Sequence, residues 1–172
     1  MSSAITIKTK LTTRRTSISF KKLTTIEIPS VISIEELNSD YPWSQGQFTT
    51  SIKNSNNLCY SLSFNGRTIG YLIVMLSVDT ADILNIGIDP EFKRQGYGTA
   101  LLNYLIENLR KRNISEILLE VRAGNKSAIQ FYMKQGFEEI SVRKNYYTKN
   151  SKNQSHREDG IIMRIKILSI KN

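Results

Sequence analysis

Hydrophobic positions recur at several different spacings along this chain, and the changes of spacing divide it into elements. From Ser17 to Lys22 apolar and polar residues alternate, as in a half-buried strand. The run from Ile26 to Asn38 alternates less and carries Pro29, which predicts a helix starting near that proline with Ser30 or Ser33 as its N-cap. Pro42-Trp43 breaks the chain, and Ser44 is placed to cap a second helix from Gln45 to about Lys53. Cys59–Phe64 and Thr68–Ser77 read as strands joined by the hairpin dipeptide Asn65-Gly66. Ala81–Ile88 is a further strand, followed by the turn Asp89-Pro90-Glu91. From about Gly98 to Arg112, Leu101, Leu102, Leu105, Ile106 and Leu109 return at three and four, the helical period. Ile117–Val121 is short and apolar, as a buried parallel strand should be. Asn125–Gln135 is a helix closed by Gly136. Phe137–Arg143 and Gly160–Leu168 complete the strands, with Thr148–Asp159 read as a polar loop between them.

Hairpin strands come first, then helix, strand, helix and strands again. That order predicts an α+β fold: a mixed, mostly antiparallel sheet of about seven strands with four helices and one parallel junction, between the fourth and fifth strands. No internal repeat or linker divides it, so residues 16–172 are read as a single domain. Residues 1–15 are set apart as a flexible basic extension. Lys8, Lys10, Arg14, Arg15, Lys21 and Lys22 lie in the first 25 residues with no acidic residue among them. A Ser/Thr-rich basic start has the composition of a transit peptide but lacks a clear arginine face, so a cytoplasmic protein is expected, with an organelle as the alternative.

Composition narrows the function. At 172 residues and 40% apolar content the chain can bury one core. No apolar run approaches the roughly 18 residues of a membrane helix, and no membrane partner is expected. Cys59 is the only cysteine and His156 the only histidine, which excludes an internal disulfide and makes a cluster of His/Cys metal ligands untenable; no metal is expected. The net charge of +9 fits work near an acidic partner, but the basic residues are spread and no RNA-binding motif is present, so no specific nucleic-acid site is expected.

The most informative stretch is Lys93-Arg-Gln-Gly-Tyr-Gly98, between a strand and an amphipathic helix. Two glycines at a helix start let the backbone approach a ligand, and the first N–H groups of the helix point outward without internal partners. With Lys93 and Arg94 beside them and the positive end of the helix dipole behind, they suit a phosphate. No Gly-Lys-Ser/Thr follows, so this is not a Walker loop, and Leu101 breaks the dinucleotide fingerprint.

Arg94-Gln-Gly-Tyr-Gly-Thr99 resembles motif A of the Gcn5-related N-acetyltransferases, whose usual form is Gln/Arg-x-x-Gly-x-Gly/Ala; Lys93 departs at the first position but keeps a positive charge. Leu119–Phe137 resembles motif B. Tyr41–Phe48, Arg143–Tyr147 and Arg157–Met163 are similar to one branch, the ribosomal-protein alanine N-acetyltransferases. The resemblance covers about Phe20 to Ile167. It implies an α/β/α sandwich whose sheet is splayed at the fourth and fifth strands, with the pantetheine arm of acetyl-CoA in the gap. Glycine inside a strand marks a bulge or close approach of another group, and Gly87 is consistent with that.

The resemblance also assigns roles. Acetyl-CoA is the co-substrate, contacted by Ile86, Gly87, Ile88, Arg94, Gln95, Gly96, Tyr97, Gly98, Thr99 and Asn125. Glu120 is the general base and Tyr132 the general acid. Trp43, Tyr146 and Tyr147 line the acceptor site, and the acceptor is a protein N-terminus, the alanine of ribosomal protein S18. The assembly is expected to be a monomer or weak dimer. The chemistry suits these residue types. A peptide α-amine has a pKa of about 8, so a carboxylate suffices to take its proton, and a phenol can protonate the departing thiolate. Asn125 is equally placed to cap the helix at Lys126. Tyr146 and Tyr147 are neighbours in a strand, so alternation lets only one face a site unless the strand has ended. Cys59 has no histidine partner by sequence, which argues against a covalent acyl-enzyme. Acetylation of a small-molecule amine or polyamine, acetylation of lysine side chains, and a non-catalytic CoA-binding module stay open as alternatives.

Overall fold

The computed structural model describes residues 4–6, 17–151 and 154–167. Asn65 and Gly66 close its central hairpin with φ of 49° and 85°, the left-handed pair that a two-residue turn between right-twisted strands requires. The chain divides into two units: Met1–Leu76 with Asn85–Asn108, and Ser77–Leu84 with Leu109–Asn172.

The first unit holds β1 (Ala4–Thr6), β2 (Ser17–Lys22), β3 (Asn57–Phe64), β4 (Arg67–Leu76) and the C-terminal half of β5 (Thr80–Ile88). They lie in the order β1-β2-β3-β4-β5. The pairs β1/β2, β2/β3 and β3/β4 are antiparallel. β1 is an eighth strand, inside the stretch read as a basic extension; residues 1–3 and 7–16 of that stretch and its border lie outside the described ones. Three helices accompany these strands: α1 (Ile28–Asn38), α2 (Gln45–Lys53) and most of α3 (Tyr97–Arg110). Leu23, Ile28, Val31, Ile34, Phe48, Cys59, Tyr71 and Ile73 form a buried cluster, with Ile32, Trp43 and Ile52 packed against it. Leu101, Leu102 and Leu105 of α3 are fully buried, each such burial contributing roughly 1.5–3 kcal/mol.

The helix starts follow capping chemistry. Ser44 caps α2, and Gln47 reaches back to its backbone N–H at 2.9 Å, a complete capping box. The expectation for α1 needs correction. Neither Ser30 nor Ser33 is its cap; the helix starts at Ile28 behind a short 3-10 turn, Thr25–Glu27, whose own capping box joins Thr24 and Glu27. Pro29 then sits in the first helical turn, where its missing N–H would have had no partner anyway.

The second unit holds the N-terminal half of β5, β6 (Glu116–Arg122), α4 (Lys126–Lys134), β7 (Glu138–Ser151) and β8 (Gln154–Lys166), with strand order β5-β6-β8-β7. β5 and β6 are parallel, in register from Thr80↔Glu116 to Ile83↔Leu119. The parallel junction that the sequence order predicts is thus present, and its ladder ends at that last pair. α4 is closed by Gly136 at φ 91°, where Phe137 N–H bonds to the Tyr132 carbonyl at 3.0 Å.

The polar loop expected over Thr148–Asp159 is instead strand. β7 continues to Ser151 and β8 begins at Gln154, in register from Tyr147↔Glu158 to Ser151↔Gln154. The segment is rich in Lys, Asn, Ser and Gln and its sequence carries no alternation of apolar residues; its pairing is made by the backbone ladder. Residues 152, 153 and 168 lie outside the described residues.

Candidate active site

In the first unit the sequence from β5 to α3 forms a cradle. Asp89 is buried; its Oδ1 accepts from the Glu91 N–H at 3.0 Å and its Oδ2 from Arg67 Nη2 at 2.7 Å. This fixes the turn leaving Ile88. Gln95 Nε2 donates to the Glu91 carbonyl at 2.9 Å. Arg94 and Gly96 adopt φ of 57° and 87°, turning the backbone so that α3 starts at Tyr97. A Cβ built on Gly96 would meet nothing within 4 Å, so the space before that backbone is open. The first N–H groups of a helix lack intrahelical partners and its dipole is positive at that end, a combination that suits an anion. Thr99 and Gly98 lie in that turn. The Tyr97 ring packs edge-on against Phe64 and Phe92, with centroids 6.0 and 5.9 Å away.

Upstream, Ile86, Gly87 and Ile88 end β5. A Cβ at Gly87 would lie 2.5 Å from Tyr71 Cε1, so this glycine admits the Tyr71 ring against the strand. That ring belongs to a buried polar group which the sequence reading did not identify. Glu35, 5% exposed, accepts from the Trp43 N–H at 3.1 Å and from Asn85 Nδ2 at 3.1 Å, and its other oxygen accepts from the Tyr71 hydroxyl. Its signal was present: Glu35 shares the helix face of Ile28 and Val31, an apolar stripe interrupted by a carboxylate. Trp43 is half-buried with its ring 5.5 Å from Phe48, so it packs on this unit's core.

The second unit gathers charged and aromatic groups around Glu120 of β6. Its Oε1 accepts from the Tyr147 hydroxyl at 2.6 Å and its Oε2 from Arg143 Nη1 at 2.9 Å. Arg122 lies over the Tyr147 ring at 4.1 Å, and Arg143 over the Tyr146 ring at 3.5 Å. The two tyrosines meet edge-to-face at 4.9 Å. Arg122 Nη1 is 3.5 Å from Glu158, which also accepts from the Gly124 N–H. Gly160 leaves room for the cluster: a Cβ there would lie 3.2 Å from Glu120 Oε1 and from Tyr147 Cε2. Arg122, Arg143 and Glu158 were not among the expected site residues. Charged residues on strands read as solvated faces until the register shows what they meet.

An irregularity in β7 makes this cluster. The register runs Arg143↔Gly160 and then Tyr147↔Glu158, four residues on β7 against two on β8. Asn145 takes φ 54° inside it. Asp159 holds it, accepting from the Asn145 N–H at 2.8 Å and from Lys144 Nζ at 2.9 Å. Those two donors, Lys144 first, pull the Asp159 carboxyl below its ordinary value. Four residues of β7 are thereby taken up against two of β8, which draws Arg143 and Tyr147 together so that both reach Glu120, while Tyr146 stays half-exposed beside them. The Tyr147 phenol is pushed up by burial and by its bond to Glu120.

Tyr132 of α4 is buried, with its ring 5.3 Å from Phe131 and 5.5 Å from Phe137. Burial raises its phenol and keeps it protonated at neutral pH. Asn125 caps α4, its Oδ1 accepting from the Ala128 N–H at 3.1 Å. Cys59 is buried and its thiol is pushed up to about 11 by desolvation, the opposite of an activated nucleophile. Among the described residues no group of three or more His, Cys, Asp or Glu is placed to hold a metal ion, and no helix is long and apolar enough to cross a membrane.

The family model for the acetyltransferase (GNAT) family matches residues 28–137. The ribosomal protein bS18-alanine N-acetyltransferase of Escherichia coli K12 is 38% identical over 145 residues, 84% of this chain and 95% of that enzyme. The enzyme of the same name from Haemophilus influenzae is 37% identical over 133 residues, 76% of this chain and 86% of its own. The crystal structure of the ribosomal-protein-S18-alanine N-acetyltransferase from Escherichia coli superposes with a TM-score of 0.80 at 36% identity, over 90% of this chain and 96% of that one. Matched by its family model over most of its length and by relatives that it spans almost end to end, the chain belongs to the GNAT family of acetyltransferases.

Proposed function

We propose that this acetyltransferase moves the acetyl group of acetyl-CoA onto the N-terminal α-amine of a protein, the alanine of ribosomal protein S18. The similarity to enzymes of that name, at 38% identity across 95% of the Escherichia coli protein, is the observation that carries the choice of acceptor. The cluster around Glu120 supports the chemistry. Glu120 takes the proton of the attacking α-amine, directly or through a water. The amine nitrogen forms the amide bond as the thioester C–S bond breaks, and Tyr132 returns a proton to the sulfur. A phenol held protonated by burial is in the right state for that role, and a thiolate in a similarly dry place has its own proton affinity raised, as Cys59 illustrates.

The other residues act by holding. The backbone from Arg94 to Thr99 would take the diphosphate, with Lys93 and Arg94 supplying positive potential. The N–H groups of Ile86–Ile88 would receive the acetyl carbonyl, where negative charge develops. Asn125 would contact the pantetheine arm while it caps α4. Tyr147, carried by the irregularity in β7, would hold the peptide backbone with Tyr146, and Trp43 would line the acceptor side. This reading goes with a cytoplasmic enzyme acting as a monomer or weak dimer.

The test is incubation with acetyl-CoA and a peptide carrying the S18 N-terminus, with the acetyl group located by fragment mass spectrometry. Acetyl on the alanine α-amine supports the proposal; acetyl found only on lysine side chains overturns it.

A further inference from the structure

The buried carboxylate of Glu35 does more than fill a core. It ends a set of hydrogen bonds drawn from three separate segments: the Trp43 N–H before α2, Tyr71 on β4 and Asn85 on β5. One helical turn further along α1, Asn38 Nδ2 donates to the Ile88 carbonyl at 3.0 Å and to the Ile34 carbonyl at 2.9 Å. Glu35 and Asn38 are three residues apart and so share one face of the helix. Between them they hold both ends of the β5 segment Asn85–Ile88. The middle of that segment is held by Tyr71, whose hydroxyl lies 3.1 Å from Asn85 Oδ1 and whose ring occupies the space that Gly87 leaves.

A structural role alone accounts poorly for this choice of groups. An apolar side chain at position 35 would continue the stripe of Ile28, Val31 and Ile34, all buried. Burying a carboxylate is costly unless its oxygens are well bonded, and here three donors converge on it. The Asn38 amide gives both N–H groups to carbonyls while its Oδ1 is buried with no partner among the described residues, a cost of its own. What these bonds achieve is a fixed path for four residues of β5.

We propose that Glu35 and Asn38 are positioning residues for acetyl transfer: α1 acts as a clamp that sets the backbone N–H groups of Ile86–Ile88 where the acetyl carbonyl is received. This rests on the acetyl-carbonyl role proposed above for that segment. Neither residue touches the reacting atoms; both act through the geometry of β5. Catalytic hydrogen-bond donors are sensitive to small displacements, so loosening the clamp lowers kcat more than it weakens cofactor binding.

The test compares Glu35→Gln, Asn38→Ala and a control, Val31→Ala. Val31 is fully buried on the same helix and takes no part in the polar group. Each variant is assayed for turnover of the S18 peptide, acetyl-CoA affinity by calorimetry, thermal midpoint, and amide hydrogen exchange of residues 85–88. The clamp predicts about a tenfold or greater loss of kcat for Glu35→Gln, a smaller loss for Asn38→Ala, acetyl-CoA affinity within about twofold, and faster exchange confined to 85–88. Val31→Ala should lower the thermal midpoint yet keep kcat. If Glu35→Gln does not fold, Asn38→Ala decides. Unchanged kcat in the folded variants, or an equal loss in Val31→Ala, overturns the clamp. A wild type inactive on the peptide counts instead against the acceptor, and the exchange data then still judge the clamp.

Discussion

Tyr147 donates its hydroxyl to Glu120 Oε1 at 2.6 Å while Arg143 holds Oε2 at 2.9 Å, so both oxygens of the proposed base are engaged before any amine arrives. In that proposed role an incoming α-amine takes over one of these positions. Arg143, whose side chain is 47% exposed, is the partner that leaves at less cost, because a half-exposed ion pair contributes little in water.

Glu120→Gln keeps the shape and removes the proposed base. Turnover should fall by about 10² to 10⁴, with acetyl-CoA binding unchanged. The deficit should shrink as pH rises past about 8, where the α-amine is already neutral. A pH–rate profile checks this; full activity of the variant at neutral pH removes Glu120 from the role.

Gly160→Ala tests how tightly the cluster is built. The added methyl lies 3.2 Å from both Glu120 Oε1 and Tyr147 Cε2, so one of them must shift. Overpacking of this kind costs about 1–3 kcal/mol. The expected result is a modest fall in the denaturation midpoint and a larger fall in kcat/KM for peptide, with acetyl-CoA affinity retained.

At the cradle, wild-type protein should melt later when acetyl-CoA is added. Ligand at about a hundred times its Kd adds ~2.7 kcal/mol, which a thermal scan resolves. Gly96→Asp puts a negative charge and a side chain on a residue at φ 87° and should abolish the shift.

Alkaline pH should destabilise the fold through its phenols. Tyr132 and Tyr147 both have pKa values raised above the ordinary value, by burial first. The unfolded chain releases those protons at about pH 10, whereas the folded chain keeps them. Their contribution is therefore complete below about pH 10 and is lost as pH rises through the folded values. Urea midpoints on either side of that pH measure the slope, and Tyr132→Phe should reduce it.

The elements were largely legible in the sequence because local chemistry marks their ends. Asn65-Gly66, Ser44 with Gln47, and Gly136 each state a turn or cap through their own side chain or φ preference. The α1 start was misread because Thr24 caps a 3-10 turn ahead of the helix, a distinction that depends on where Glu27 folds back. The β7–β8 hairpin was hidden because its sequence, mostly Lys, Asn, Ser and Gln, carries no apolar alternation. Glu120, Tyr147 and Asn125 were named on resemblance, but Arg143 and Arg122 were not, since their role comes from a register shift at Asn145 that spacing along the chain does not reveal. Glu35 stood out as a carboxylate in an apolar helix face, but its partners were hidden, because two of its three donors, Tyr71 and Asn85, lie 36 and 50 residues along the chain.

The central claim is that the acceptor is the α-amine of an alanine-initiated protein. One competition measures it: kcat/KM for an S18 peptide beginning with alanine, a methionine-initiated peptide, an N-terminally blocked peptide with a free lysine, and spermidine. The account predicts the alanine peptide highest, and by tenfold or more over the lysine peptide and spermidine at about neutral pH, where the α-amine is the least basic of these amines. A higher value for spermidine or for the lysine side chain would contradict it.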